Sequence, residues 1–457
     1  MLNENAANQT TFVSGRNQVE CASWHQMLRR QWLSRSTMCL GGLGLTAIAE
    51  RLARAGSSPR EDADGKKSKK ARSLIVLWLQ GGPSQLDTFD PQPGTQIGGD
   101  VRAISTSIPK IEIADSLPLT AEQLHLTTLV RSMVSKEGDH ERATYQLKTG
   151  WRLDPTIIHP SLGAVLCHQT SDNLEIPRHV SILSGQWPAR GGYLGGQFDA
   201  FQVDDPKYRL PNLKSYADEK RTQSRIDGLR NVVEREFARG RFENLDHLKT
   251  QHETATAKAL EMMDSDQVAA FDVTREPTAT QMSFGDTSFG RGCLSAVRLI
   301  ESGVRCVEVE LSGWDSHINN HELQRERCKI LDVALSSCLR ELVARDLLDS
   351  TLVVCGGEFG RTPNINVTGG RDHWQYGFCT LLAGGPLRRG YVHGSTSPAP
   401  TAVKANRIDD VSQPVTVQDL HATLLDCLGI NYSQELKTPI GRPLVLSQGN
   451  VVREWID

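Results

Sequence analysis

Apolar runs of strand length that alternate with helix-forming segments are the feature that most constrains the fold of this 457-residue chain. The runs cover residues 74–79, 304–311, 352–355 and 378–383. Helices are predicted at residues 288–302 and at about 322–345, each leading into a strand. Strands that alternate with helices form a mostly parallel sheet that is covered on both faces. The sequence therefore predicts an α/β fold with helices on both sides of the sheet.

The length of the chain exceeds the usual range of a single domain, so either two domains or one large decorated domain is expected. We predict a main domain at residues 73–446, with a charged helical insertion at 213–270, and a tail at 447–457. In the insertion, Ile226, Leu229, Val233 and Phe237 share one face at helical spacing. That face is expected to pack on the core, and a partner-binding arm is the alternative.

Composition excludes two classes of partner. A net charge of −3 gives no basic face for nucleic acid. The chain lacks a run of about 18 apolar residues, so no membrane-spanning segment is expected. Cys306, Cys355 and Cys379 lie in strand-like runs and are interpreted as small buried hydrophobes.

The N-terminal residues have the order of an export signal. Arg29 and Arg30 precede a moderately apolar stretch at 36–49, and Ala53 and Ala55 form a small-x-small cleavage site. This order predicts a twin-arginine signal peptide within residues 1–55, followed by a basic linker at 56–72. The predicted location is the periplasm or cell envelope. An amphipathic helix with two incidental arginines is the alternative interpretation, and translation is expected to begin at Met27 rather than Met1.

Carboxylates and imidazoles follow the later strands. Asp315 and His317 come after the run at 304–311, and Glu358 comes after the run at 352–355, with Asp372 and His373 further on. Side chains placed after successive parallel strands gather at one edge of the sheet. Mixed Asp, Glu and His ligands suit a divalent ion, so all five residues are candidate metal ligands. The alternative is that they are solvated loop residues or helix caps.

Several segments carry a resemblance to known families. Residues 417–430 resemble the Asp-Leu-x-x-Thr-Leu-Leu segment near the end of sulfatases and phosphodiesterases, and residues 441–444 resemble the Gly-Arg-Ser-Leu that follows it. Together with residues 79–84, 313–317 and 357–363, they are similar to the domain-of-unknown-function family DUF1501. That family is usually exported by the twin-arginine route and is placed in the alkaline phosphatase superfamily. The resemblance implies an alkaline-phosphatase-like three-layer sandwich.

The chain departs from the superfamily pattern at its site. Gln80 stands where the superfamily has an acidic metal ligand, and Phe359 replaces the histidine of an Asp-His pair. His140 stands nine residues before Thr149, in the position of the nucleophile. Its imidazole is interpreted as a nucleophile or general acid–base, as a metal ligand, or as a satisfied interior group.

Two further residues are implied by the resemblance. Arg361 is the candidate to neutralise a phosphoryl or sulfuryl oxygen, and pairing with a nearby carboxylate is its alternative role. His321 is a second candidate for the imidazole ligand that His317 provides.

The resemblance implies a metal-dependent hydrolase or transferase acting on a small-molecule or glycan ester of phosphate or sulfate. The divalent metal is zinc, manganese, magnesium or calcium. The alternative is a non-catalytic exported binding protein that kept the fold and lost the usual nucleophile.

The export signal is testable by changing Arg29→Lys together with Arg30→Lys. Because the twin-arginine pathway recognises the arginine pair, the precursor should accumulate uncleaved in the cytoplasm. Cell fractionation with immunoblotting measures the outcome. Cleaved protein outside the cytoplasm in the double variant would refute the signal assignment.

Overall fold

The computed structural model describes residues 70–211, 213, 218–238, 251–397 and 410–457. All of them belong to the second of the two units into which the chain divides, Leu43–Asp457. The predicted signal peptide at 1–55 and most of the linker at 56–72 lie outside these residues, so both stay predictions. Within the described ranges, no helix is long and apolar enough to cross a membrane.

The described strands and helices follow one another along the chain as follows. The strands are β1 Ser73–Gln80, β2 Ala103–Ser105, β3 Glu112–Ala114, β4 Thr127–Val134, β5 His179–Ile182, β6 Phe201–Val203, β7 Cys306–Ser312, β8 Thr351–Gly356, β9 Gly360–Arg361, β10 His373–Trp374, β11 Phe378–Ala383, β12 Tyr391–His393, β13 Ser395–Thr396, β14 Val411–Ser412, β15 Val415–Thr416, β16 Glu435–Lys437 and β17 Pro443–Val445. The α-helices are α1 Pro118–Gln123, α2 His140–Thr149, α3 Leu162–Gln169, α4 Glu219–Ala238, α5 Gln251–Asp264, α6 Thr278–Ser283, α7 Ser288–Glu301, α8 Asn320–Ala344 and α9 Val417–Cys427.

The central sheet has the strand order β12-β4-β11-β8-β1-β7-β5-β6, and β15 also pairs with β4. Strand β11 is antiparallel to both of its neighbours, β4 and β8. The other pairings in this sheet, among the residues described, are parallel. This confirms the predicted α/β fold with a mostly parallel sheet.

Helices cover both faces of the sheet. Along β1, Leu74 packs in one buried cluster with Leu420 of α9, while Ile75 packs in the other with Leu299 of α7 and Leu335 of α8. Successive strand residues point to opposite faces, so each face of β1 contacts its own helical layer. Full burial of each such side chain contributes about 1.5–3 kcal/mol. The result is the predicted three-layer arrangement.

The ends of three neighbouring strands position the candidate site. Strand β1 lies between β7 and β8, with Gln80 opposite Ser312 and Trp78 opposite Gly356. The loops that follow these strands therefore leave the same edge of the sheet side by side. Gly81 has a φ of +115°, and a Cβ there would lie 2.5 Å from the backbone nitrogen of Asp315. Only glycine allows the loop after β1 to pass so close to the loop after β7.

Strand β7 also carries acidic residues into the interior, although the sequence predicts an apolar strand there. The Glu308 carboxylate lies 2.7 Å from Lys148 Nζ of α2, with side-chain exposures of 4% and 7%. The two residues border a cavity of about 50 Å³. Because an unpaired buried charge is costly, each group needs the other at this position.

The cysteine interpretation is confirmed for the described part of the chain. Cys306, Cys355 and Cys379 are buried free thiols, as are the other five cysteines that the structure describes.

Among the residues that the structure describes, the helical insertion contacts the core cluster through its later part. In α4, Leu229 is 42% exposed and Val232 is 63% exposed. Met262 of α5 and Phe271 after it are buried in the core cluster. The side chains of Val233 and Phe237, which the sequence places on the same face as Leu229, lie outside the described residues.

Packed residues extend beyond the predicted range of residues 73–446 at both ends. Ala71, assigned to the linker, is buried, and its N–H donates to Cys427 O at 2.9 Å. At the other end, Trp455 is fully buried and its carbonyl accepts from the Arg388 N–H at 2.7 Å. The segment at residues 447–457 is therefore attached to the fold through Trp455.

Trp455 provides a test of this packing. Trp455→Ala should lower the free energy of unfolding by about 3–5 kcal/mol, because truncating a buried aromatic leaves a cavity. Denaturant unfolding measures the change. Ile440→Ala, at a side chain that is 64% exposed, serves as the control and should change stability by less than about 0.5 kcal/mol. Equal stability of the two variants would contradict the packing.

Candidate metal site

Loops and a helix start bring imidazoles and a carboxylate together at the edge of the sheet. Asp315 lies in the loop after β7, His373 begins β10, and His140 begins α2. The Asp139 side chain accepts from the Arg142 N–H and caps α2, which starts the helix at His140. The donor atoms of His140, Asp315 and His373 all lie within 4.8 Å of one another. The structure therefore joins the predicted ligands Asp315 and His373 to the predicted catalytic residue His140.

The separations between these atoms suit a bound cation. Asp315 Oδ2 lies 3.4 Å from His140 Nε2, and Asp315 Oδ1 lies 3.6 Å from His373 Nε2. His317 is adjacent, with its Nε2 3.3 Å from Asp315 Oδ1 and 3.0 Å from His373 Nε2. Neighbouring ligand atoms of a tetrahedral zinc ion with bonds of about 2.0–2.1 Å are about 3.3–3.4 Å apart. The distances from Asp315 to His140, His317 and His373 are close to this spacing.

The second ring nitrogen of each histidine is held by an oxygen. His140 Nδ1 lies 2.7 Å from Glu358 Oε1, His317 Nδ1 lies 2.8 Å from Asp372 Oδ1, and His373 Nδ1 lies 2.7 Å from Gly138 O. Metal-binding histidines usually donate their other N–H to a carboxylate or carbonyl in this way. With Nδ1–H as the donor, each Nε2 presents its lone pair toward Asp315. Glu358 and Asp372, predicted as ligands, occupy supporting positions.

Two buried polar atoms lack hydrogen-bond partners among the described residues. One is His140 Nε2 and the other is Glu358 Oε2, in a side chain that is fully buried. Native structures rarely leave such atoms unsatisfied. An imidazole nitrogen and a carboxylate oxygen can each donate a lone pair to a metal ion. The residues present therefore fit a divalent ion.

The charges of this group depend strongly on one another. Burial lowers the pKa of His140, but the neighbouring Asp315 and Glu358 carboxylates outweigh burial and raise that pKa to about 9. Burial raises the pKa of Asp315, yet His140, His373 and Arg361 together outweigh it and hold the pKa well below its usual range. Positive charge beside Asp315 therefore stabilises the site, whether a proton or a metal ion supplies it.

Arg361 does not have the predicted place toward a substrate. Its side chain is fully buried, and Nε donates to Gly82 O at 2.9 Å while Nη1 donates to Arg371 O at 3.1 Å. Nη2 donates to Gly81 O and lies 2.6 Å from Asp315 Oδ1. All three guanidinium nitrogens therefore form contacts inside the protein. Arg361 has the alternative role, pairing with a carboxylate, and does not face a position for a phosphoryl or sulfuryl oxygen.

His321 lies in a different cluster from Asp315. His321 Nδ1 is 2.5 Å from Asp87 Oδ1, and Asn320 Nδ2 donates to Asp87 Oδ2 at 2.8 Å. Arg371 is fully buried, and its Nε lies 3.3 Å from Asp87 Oδ2. Burial raises the pKa of Asp87, but the contacts with His321, Arg371 and Ser84 outweigh it and lower that pKa. These contacts with Asp87 hold the loop after β1 in place.

Some residues of the site were not predicted to take part in it. The Gly138 carbonyl acts through its backbone, and Gln80 donates from Nε2 to Glu358 Oε1 at 3.1 Å. The Phe359 ring lies 4.4 Å from the His373 ring and 5.0 Å from the His140 ring, centroid to centroid. The one available signal was position, because Gln80 and Phe359 both stand in slots where the superfamily has ligands.

Comparisons with solved structures find distant likenesses. A protein in the alkaline phosphatase superfamily from Vibrio parahaemolyticus has 12% sequence identity and a TM-score of 0.37, covering 86% of this chain and 78% of its own. The lipoteichoic acid synthase LtaP from Listeria monocytogenes has 10% identity and a TM-score of 0.36, with coverages of 84% and 78%. The C-terminal periplasmic domain of EcEptC from Escherichia coli, in complex with Zn, has 11% identity and a TM-score of 0.36, with coverages of 87% and 97%. At these values the likenesses transfer no function.

The comparison with sequence families assigns the chain to one family. No curated protein matches the chain significantly. Residues 71–456 match the family described as "Protein of unknown function (DUF1501)". Because the match spans most of the chain, the protein belongs to the DUF1501 family, as its motifs predicted.

Proposed function

We propose that this protein is an exported metal-dependent hydrolase or transferase of a phosphate or sulfate ester, working in the periplasm or cell envelope. One observation carries the proposal: imidazole Nε2 atoms surround the Asp315 carboxylate while each Nδ1 is held by an oxygen. The resemblance of the chain's motifs to the alkaline phosphatase superfamily supports the choice of reaction.

His140, Asp315 and His373 would hold the ion. Three protein ligands leave a position open, which is the arrangement of catalytic rather than structural zinc sites. A bound ion of this kind polarises an ester oxygen and lowers the pKa of a bound water. Two nitrogens and one carboxylate favour zinc over manganese, magnesium and calcium, which prefer oxygen ligands.

His140 is assigned to the metal rather than to nucleophilic attack. Its Nδ1 is held by Glu358, and its Nε2 is a buried atom that faces Asp315, so neither nitrogen is open to a substrate. A water molecule would then attack the ester in hydrolysis. This choice among the alternatives for His140 follows because Nδ1 is held by Glu358 and Nε2 is buried beside the candidate ligand Asp315.

His317 is the candidate for proton transfer. Among the described residues it lies outside the group formed by His140, Asp315 and His373. Its side chain is 44% exposed, and Asp372 holds its Nδ1. An imidazole oriented by a carboxylate suits a general acid or base. In this assignment, Nε2 of His317 moves a proton to or from the ester on the open side of the site.

A non-catalytic binding protein is the second candidate. The burial of Arg361 favours it, because the guanidinium predicted to stabilise the transferred group is engaged inside the protein. The two candidates differ in whether any ester is turned over by the metal-loaded protein.

The test combines metal analysis with a panel of phosphate and sulfate esters. Chelation should lower the melting temperature of the wild-type protein, because a ligand of the folded state adds stability by mass action. His140→Ala and Asp315→Asn should lose bound metal and turnover together. His317→Ala should keep the metal and lose about 10²- to 10⁴-fold in rate. His125→Ala, at an exposed imidazole, is the control and should behave as wild type.

The outcomes separate the candidates. Metal-loaded wild-type protein that turns over no ester would establish the binding protein instead. A His140→Ala variant that keeps full metal content would overturn the ligand assignment. A His317→Ala variant with wild-type turnover would remove His317 from proton transfer.

A further inference from the structure

Gln80 is held in one orientation at the end of β1. Trp78 Nε1 lies 2.6 Å from Gln80 Oε1, and Gln80 Nε2 lies 3.1 Å from Glu358 Oε1. An indole N–H can only donate a hydrogen bond. The amide oxygen of Gln80 must therefore face Trp78, which turns the amide N–H toward Glu358.

Glu358 depends on this orientation. Its Oε1 accepts from Gln80 Nε2 and from the Gly81 N–H at 2.9 Å, and also contacts His140 Nδ1 at 2.7 Å. The side chain is fully buried, so water cannot replace a lost donor. Donors on both sides keep Oε1 at the one place from which it holds the His140 ring.

Trp78 is itself supported from the interior of the sheet. Lys148 Nζ lies 5.1 Å from the centre of the Trp78 ring. The same Nζ is fixed by Glu308 at 2.7 Å and by Trp187 O at 2.7 Å. A cation over an aromatic face is attracted to it, so the buried ion pair helps to hold the indole.

We infer that Trp78 and Gln80 are positioning residues for the candidate metal site, acting on His140 through Glu358. This inference rests on the proposed function, because it concerns the same metal. Gln80 is then a working part of the site rather than a lost ligand. An acid at this position would place a second carboxylate beside Glu358 and repel it, whereas the amide donates to it.

Zinc affinity of the whole purified chain, measured by competition with a chromogenic chelator, tests the inference. Gln80→Met keeps the length of the side chain without a hydrogen bond, and Trp78→Phe removes the indole N–H. Both should weaken zinc binding by about 10- to 100-fold, as is usual when the partner of a ligating histidine is disturbed. Gln80→Glu should also weaken it, because of repulsion from Glu358.

The control is Trp455→Phe. Trp455 is fully buried and its Nε1 has no hydrogen-bond partner among the described residues, so the change is matched in size and burial but removes no hydrogen bond. Zinc affinity should stay at the wild-type value. Melting of the metal-free variants shows whether each one folds, and a variant that melts near wild type yet binds zinc weakly supports a positioning role.

Two results would overturn the inference. The first is wild-type zinc affinity in both Gln80→Met and Trp78→Phe. The second is tighter binding by Gln80→Glu, which would make position 80 a ligand position that this chain has lost. A wild-type protein that binds no zinc at all instead refutes the metal site of the proposed function, and the two failures are thus distinguishable.

Discussion

The carboxylate of Asp315 contacts side chains from several loops of this protein. Its two oxygens face three imidazole nitrogens and one guanidinium; His317 belongs to the same loop, and His140, Arg361 and His373 come from other segments of the chain. The negative charge of Asp315 stabilises the site only while positive charge remains beside it. Each imidazole is held in its orientation by the oxygen at its Nδ1. The site is therefore organised before any ligand arrives.

Two buried arginines fix the loops that carry these residues. Arg361 joins the carbonyls of Gly81, Gly82 and Arg371 to Asp315, and Arg371 donates from Nη2 to Ile97 O at 2.8 Å. Burial lowers the pKa of Arg361, and Asp315 counteracts this shift. A guanidinium with several fixed donors connects backbone segments that have no regular secondary structure. This explains why Arg361 belongs to the framework of the site.

The sequence predicts the layers of this fold well and the assembly of its site only in part. Apolar runs determine where strands lie, and β11 has the predicted bounds, residues 378–383. The same runs place Asp315 and Glu358 at one edge. They do not indicate that Glu358 contacts His140, or that a backbone carbonyl at Gly138 holds His373. Such pairings depend on how the loops pack against one another, and the periodicity of a local sequence segment does not indicate this packing. Trp455 is similar, because a single buried indole after an irregular segment leaves no repeating pattern.

The central claim is that one divalent ion binds between His140, Asp315 and His373. Anomalous diffraction from crystals grown with zinc, recorded on both sides of the zinc absorption edge, tests it directly. The account predicts one peak within about 2.0–2.2 Å of His140 Nε2, His373 Nε2 and an oxygen of Asp315. No peak at this position, or a peak coordinated by Glu358 and Asp372 with His140 free, would contradict it.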